Sequence, residues 1–96
     1  MSRDEVLSIL AEHKAEFVAM GVKSIAIFGS TARNEAGAES DVDVLVEFSA
    51  PVGMFKFLDV KARLESILGR EVDLATPDAL RQQMRPRILK EAIRAI

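Results

Sequence analysis

The segment DVDVLVEF, from Asp41 to Phe48, alternates polar and apolar side chains along much of its length. Because successive side chains of an extended chain point to opposite faces, this pattern predicts a half-buried β-strand. The apolar face must be covered, so the chain is expected to pack helices against a sheet. The predicted outer face carries Asp41, Asp43, Leu45 and Glu47, and the predicted core face carries Val42, Val44, Val46 and Phe48.

The N-terminal third of the chain predicts a helix, a strand and a short helical turn. Ser2 and Glu5 match a capping box, and apolar residues follow at helical spacing until Gly21 ends the helix. The apolar run Val22 to Phe28 predicts a buried strand that leads into a tight turn. Ser30 is predicted to cap a brief helical turn after this strand.

The remaining segments predict a loop, two helices and a third strand. Asn34 to Ser40 is small and polar, as loops are, and Val72 to Ala75 is a short apolar strand. Met54 to Leu68 has helical spacing, and Pro86 suits the first turn of a last helix. The predicted inner side of the longer helix is Leu58, Ala62, Leu64 and Leu68, and the apolar stripe of the last helix is Ile88, Leu89, Ala92, Ile93 and Ile96.

This order of elements predicts an α/β (α+β) fold, with a small three-stranded sheet flanked by helices. The chain has 96 residues, so residues 1–96 are expected to form one domain. A domain of this length buries only about 60 to 65% of the surface that its unfolded chain exposes. A surface for a partner is therefore expected.

Composition excludes several classes of protein. Thirteen basic and fifteen acidic side chains give a net charge of −2, which disfavours a protein that binds nucleic acid through its overall charge. Cysteine is absent and His13 is the lone histidine, which disfavours thiolate or zinc sites and a Ser/His/Asp nucleophile. No apolar run reaches the roughly 18 residues of a membrane span, so a cytoplasmic protein without membrane contact is expected.

Three aspartates form a candidate metal site. Asp41 and Asp43 project from one face of a strand about 6.6 Å apart along the backbone, and Asp73 is isolated within the next strand. Carboxylates this close raise one another's pKa unless a hard cation such as Mg²⁺ neutralises them. Three such acids can hold two magnesium ions for displacement at phosphorus. The Asp41 and Asp43 pair alone is equally typical of a solvated strand face.

A candidate phosphate site precedes these acids. Gly29 allows close approach of the backbone to a ligand, and Ser30 with the first amides of the helical turn can donate to phosphate oxygens. Both residues follow the first strand, where open α/β sheets bind ligands. Arg33 either braces a phosphate or pairs with a carboxylate, and the sequence does not decide between these roles.

Other phosphate and calcium motifs are absent. No lysine follows a glycine as a Walker loop requires, and the chain has no G-x-G-x-x-G. A calcium loop that begins at Asp41 would need glycine and glutamate where Val46 and Val52 stand.

The pattern G-S-x-x-R, then S-D-x-D, then V-D-L resembles the DNA polymerase β nucleotidyltransferase superfamily. The runs PVGMFKFLDVKARLESILG, REVDLATPDAL and RPRILKEAIR extend this resemblance along nearly the whole chain. They are similar to minimal nucleotidyltransferase (MNT) antitoxins of HEPN/MNT toxin–antitoxin systems. The resemblance implies the nucleotidyltransferase fold and the transfer of AMP from ATP to a hydroxyl, a tyrosine of a HEPN ribonuclease toxin.

The resemblance also implies a role for each matching residue. Gly29 and Ser30 match the turn that binds phosphate, and Arg33 matches the family's arginine. The metal ligands and catalytic acids that it implies are Asp41, Asp43 and Asp73. The position after the arginine is commonly glycine in the family but is Asn34 here, a small departure because asparagine tolerates left-handed backbone angles.

Two functions remain open, together with a disfavoured third. An active transferase is favoured over an inactive antitoxin that only binds its toxin, because a decayed site should have lost an acid. A regulator that binds nucleic acid is disfavoured by the charge and by the few aromatic residues, all of them Phe.

So small a chain needs a partner to complete its site. Candidate contacts are the apolar stripe of the last helix and Arg81, Arg85 and Arg87.

Overall fold

The computed structural model describes residues 1–35 and 41–96, so most of the predicted loop Asn34 to Ser40 lies outside the described residues. Five α-helices and four strands are present in these two ranges. In chain order they are α1 (Arg3–Glu12), α2 (Lys14–Ala19), β1 (Val22–Ile27), α3 (Gly29–Ala32), β2 (Val42–Phe48), α4 (Met54–Leu68), β3 (Val72–Ala75), α5 (Arg85–Glu91) and β4 (Ile93–Arg94).

The sheet is mixed and has the strand order β3-β2-β1-β4. Strand β1 is antiparallel to both β2 and β4, whereas β2 and β3 are parallel. The predicted α/β class is confirmed, but the predicted count of three strands is wrong because the described residues form four. The parallel pair brings the starts of β2 and β3 to the same end of the sheet.

The fourth strand replaces the end of the predicted last helix. Helix α5 stops at Glu91, and Ala92 has an extended backbone with ψ 138°. Ile93 then pairs with Ile27 of β1, and the Ala95 amide donates to the Ile25 carbonyl at 2.8 Å. The unpaired edge of β1 offers hydrogen bonds to this segment. The free energy gained by pairing with that edge exceeds the local preference of the segment for helix. The predicted helical stripe is therefore wrong beyond α5.

The predicted first helix is confirmed in its start and divided in its middle. The Glu5 amide donates to Ser2 Oγ at 3.2 Å and the Ser2 amide donates to Glu5 Oε1 at 3.2 Å, which is the predicted capping box. His13 separates α1 from α2, a break that the apolar spacing did not predict. Gly21 ends α2 with φ +89°, a left-handed angle that favours glycine.

One face of the sheet carries the hydrophobic core. Helices α1, α2 and α4 cover it, and Leu10, Phe17, Ile25, Val44 and Leu64 are fully buried there. The predicted core face of β2 is confirmed by the buried Val42, Val44 and Val46. Leu45 was predicted on the outer face, yet it is also buried.

Helix α4 is rotated relative to its predicted inner side. Leu64 and Leu68 are buried as predicted, but Leu58 is 46% exposed and Ala62 is exposed, so these two assignments are wrong. Val60 takes the inner position instead. Apolar residues lie on several faces of the first half of α4, so their spacing does not select one face.

No helix in residues 1–35 or 41–96 has the length and apolar character needed to cross a membrane.

Candidate active site

Two of the three predicted acids face each other across the parallel strands. Asp43 of β2 is in register with Asp73 of β3, so their backbones lie about 4.8 Å apart and their side chains share a face. Asp41 directly precedes β2 and lies two residues from Asp43. Asp41 and Asp73 are exposed, whereas Asp43 is half-buried. The strands thus bring the three acids to one end of the sheet.

The backbone of Gly29 lies directly against Asp43. Gly29 has φ +63°, and a Cβ atom at this position would lie 2.3 Å from Asp43 Oδ2. The Phe28 amide donates to the Asp43 carbonyl at 3.1 Å, which holds the two segments together. Glycine is therefore required here for two reasons, the left-handed backbone angle and the space that the carboxylate occupies.

The short helix α3 starts two residues earlier than predicted. Its N-cap is Phe28, which has an extended backbone and no capping side chain, so the prediction that Ser30 is the cap is wrong. The left-handed angle of Gly29 turns the chain directly from β1 into the helix. Ser30 instead lies in the first turn, where helix amides have no intrahelical acceptor.

Asp43 is electrostatically unfavourable in its charged form. Partial burial raises the pKa of the Asp43 carboxyl, and the charges of Asp73 and then Asp41 raise it further. Arg33 opposes this pKa shift, and Glu91 adds to it. The repulsion from Asp73 and Asp41 thus adds to the effect of burial on this carboxyl.

The three acids are neighbours, but they do not form a closed cage. Within residues 1–35 and 41–96, no group of three or more Asp, Glu or His side chains is already arranged to hold a metal ion. Asp41 and Asp73 are exposed, so their side chains have room to turn toward Asp43. The donor set is entirely oxygen, which suits a hard divalent cation and not zinc.

The shifted pKa of Asp43 predicts the effect of removing its charge. Asp43→Asn is expected to raise the melting temperature of the metal-free protein at neutral pH, since ionising a carboxyl of raised pKa opposes folding. The penalty is absent below the ordinary pKa of 3.8, grows as the pH rises through the folded pKa, and is complete above it. Thermal unfolding in a chelator at both ends of this range measures the difference. An Asn variant that is less stable at neutral pH would contradict this account of Asp43.

Arg33 pairs with two carboxylates, which is one of the two roles that the sequence left open. Its Nε atom donates to Glu35 Oε2 at 3.1 Å, and its Nη1 atom donates to Glu91 Oε1. Glu91 is the last residue of α5, and sequence reasoning did not identify it. It is 58 positions from Arg33 along the chain, and no local pattern signals this contact.

The departure at Asn34 fits the backbone. Asn34 has φ +59°, the left-handed angle that glycine commonly adopts, and its Oδ1 atom accepts a hydrogen bond from the Arg3 amide at 2.9 Å. Asparagine adopts this angle more readily than most residues. The expectation that Asn34 preserves the turn is confirmed.

A groove of about 650 Å³ lies at the opposite end of the parallel strands. It is bounded by the end of β2, the start of α4 and the segment that follows β3. Val46 is its residue nearest to Asp43 along β2, and three residues of strand span about 10 Å. The groove is therefore separate from the acids. Its lining includes Phe48, Val52, Met54, Phe57, Thr76 and Pro77.

Comparison with known proteins identifies the relatives of this chain. Residues 5–96 match the family model described as nucleotidyltransferase domain. The protein adenylyltransferase MntA of Thermococcus cleftensis is 37% identical over 94 residues, which cover 97% of this chain and 95% of that protein.

Solved structures show the same fold. A candidate minimal nucleotidyltransferase is 30% identical with a TM-score of 0.83, and the match covers 97% of this chain and 95% of that chain. The complex of a tri-AMPylated HEPN toxin with an MNT antitoxin from Shewanella oneidensis matches with a TM-score of 0.59 and 14% identity. That match covers 88% of this chain and 70% of the other, and at this identity it supports the fold alone.

Proposed function

The chain belongs to the nucleotidyltransferase domain family, and we propose that it transfers AMP from ATP to a hydroxyl of a HEPN-domain toxin and so acts as an antitoxin. The observation that carries this proposal is the contact between the Gly29 backbone and Asp43, whose strand partner is Asp73. The turn that we propose binds phosphate therefore lies directly beside Asp43 and its strand partner. The named activity of the relative MntA, a protein adenylyltransferase, supports the same reaction.

The proposed metal ligands are Asp41, Asp43 and Asp73, which would hold two magnesium ions. Bound magnesium would neutralise the repulsion among these acids and polarise the phosphate oxygens. The pKa of Asp43 is raised first by burial and then by the charges of Asp73 and Asp41, and a bound cation would favour the charged form of this carboxyl.

In the proposed reaction, Ser30 and the first amides of α3 bind the phosphate oxygens of ATP. The acceptor oxygen forms a bond to the α-phosphorus as the bond from that phosphorus to the bridging oxygen breaks. Pyrophosphate leaves, and the acceptor hydroxyl loses its proton to water. Asp41 and Asp73 are exposed, so the face on which the acceptor must approach is open. A partner protein would therefore supply the acceptor, which we propose is a tyrosine.

The structure reduces the set of residues that we propose contact the partner. Ile88, Ile93 and Ile96 pack against the core or lie half-buried, so they are not free for a partner. Arg81 and Arg87 are exposed and remain candidate contacts, whereas Arg85 is half-buried and donates to the Asp78 carbonyl at 3.3 Å.

The proposed reaction is tested with labelled nucleotide. The protein, its cognate HEPN partner and Mg²⁺ are incubated with ATP that carries the label at either the α- or the γ-phosphate. We expect label on the partner from α-labelled ATP and none from γ-labelled ATP. Label from the γ-position would show phosphoryl transfer instead. A stable complex without either label would favour the inactive antitoxin that neutralises the toxin by binding.

Metal binding has its own test, which requires no partner. Magnesium is expected to raise the melting temperature of the wild type, because a ligand that binds only the folded state stabilises it. The Asp41→Asn, Asp43→Asn double variant should show no such rise, while Asp59→Asn, a change of an exposed acid on α4, should respond like the wild type. Equal responses of the double variant and the wild type would remove these acids as ligands.

A further inference from the structure

We infer that Glu91 is a positioning residue. It holds the guanidinium of Arg33 beside the Gly29 turn, so that the guanidinium is already oriented when a nucleotide phosphate binds. This inference rests on the proposed function. Neither the family resemblance nor the sequence motifs assign a role to Glu91.

Glu91 is the less exposed of the two carboxylates that pair with Arg33. Arg33 Nη1 pairs with Glu91, whose side chain is only 18% exposed, while Arg33 Nε pairs with Glu35, which is 64% exposed. Exposed ion pairs are weak because water screens them and both side chains lose freedom. The less exposed Glu91 therefore contributes more to the position of the guanidinium.

The backbone fixes Glu91 near the turn. Glu91 ends α5, and two residues later Ile93 pairs with Ile27 at the end of β1. Gly29 follows Ile27 by two residues, so both sides of the ion pair are attached to the same pair of strands. Helices α3 and α5 are also in contact. The pairing of β4 with β1 thus fixes the backbone position of Glu91.

The pair leaves Arg33 able to bind an anion. A guanidinium has five N–H donors, and the two carboxylates accept from Nε and Nη1. Donors remain for a phosphate, which guanidinium groups bind well. The Arg33 amide donates to the Gly29 carbonyl at 3.2 Å, so the backbone of Arg33 is attached to the turn that contacts Asp43. A side chain that is already fixed loses less entropy when it binds a ligand.

The test measures nucleotide affinity in a matched pair of variants. Glu91→Gln keeps the shape of the side chain but removes its charge, and Glu16→Gln does the same to the Arg63 ion pair that joins α2 to α4. Binding of a non-hydrolysable ATP analogue with Mg²⁺ is measured by calorimetry. We expect about tenfold weaker binding for Glu91→Gln, the scale of one charged hydrogen bond, and no change for Glu16→Gln. Equal losses in both variants would overturn the inference.

A second measurement separates positioning from general stability. In an Arg33→Ala background, Glu91→Gln should have no further effect on affinity, because Glu91 acts only through Arg33. Independent, additive losses would overturn the inference. A wild type that binds no nucleotide overturns the proposed function and this inference with it. Binding by the wild type with unchanged affinity in Glu91→Gln overturns the inference alone.

Discussion

Asp43→Asn is expected to lower the rate of AMP transfer by about a thousandfold or more, since a lost metal ligand removes several kcal/mol of transition-state stabilisation. Asp43 is the acid at the centre of the site, in register with Asp73 and in contact with the Gly29 turn. Asparagine preserves its size but removes the negative charge. The rate is measured as label transferred from α-labelled ATP to the HEPN partner.

The same substitution should leave the fold intact. Because the charge of Asp43 opposes folding, the metal-free variant is expected to be at least as stable as the wild type at neutral pH. Loss of activity with retained stability would therefore identify a functional role. Asp59→Asn serves as the control, since it removes an acid from the exposed side of α4. Full activity of Asp43→Asn would exclude Asp43 as a catalytic acid.

Gly29→Ala is expected to lower transfer by about a hundredfold or more, the scale of a misplaced reacting group. Its Cβ atom would lie 2.3 Å from Asp43 Oδ2, so the carboxylate must move out of its place. The left-handed angle of +63° adds about 1 to 2 kcal/mol of strain for alanine. Both activity and melting temperature should therefore fall.

A second glycine offers a closely matched control. Gly69 ends α4 at φ +66°, and an added Cβ there would meet nothing within 4 Å. Gly69→Ala thus introduces nearly the same backbone strain without a clash near the acids. We expect Gly69→Ala to lose stability from the backbone strain alone, Gly29→Ala to lose at least as much, and transfer to fall only in Gly29→Ala. Equal transfer rates in the two variants would show that contact with Asp43 is not important.

Local sequence patterns were sufficient for the elements that build the site. The alternation in β2 predicted a strand because its period of two is independent of distant contacts. Asp73 was identified as an isolated acid in a short apolar strand, but its register with Asp43 depends on the parallel pairing of β2 and β3. That pairing is a contact between distant segments, so no local pattern contains it.

Two of the wrong predictions have different physical causes. The last apolar residues suit a helix locally, yet the free edge of β1 draws Ile93 and Arg94 into a fourth strand. The fourth strand brings Glu91 close to Arg33. Because this contact depends on the strand pairing, the sequence could not identify Glu91 as the partner of Arg33. Leu58 was placed inside because apolar residues occupy several faces of α4.

A crystal structure of the protein with Mg²⁺ and a non-hydrolysable ATP analogue tests the central claim most directly. We expect magnesium coordinated by the carboxylates of Asp41, Asp43 and Asp73, with the triphosphate bound to the amides that follow Gly29. A nucleotide bound instead in the groove between the end of β2 and the start of α4, with the three acids free of metal, would contradict the account.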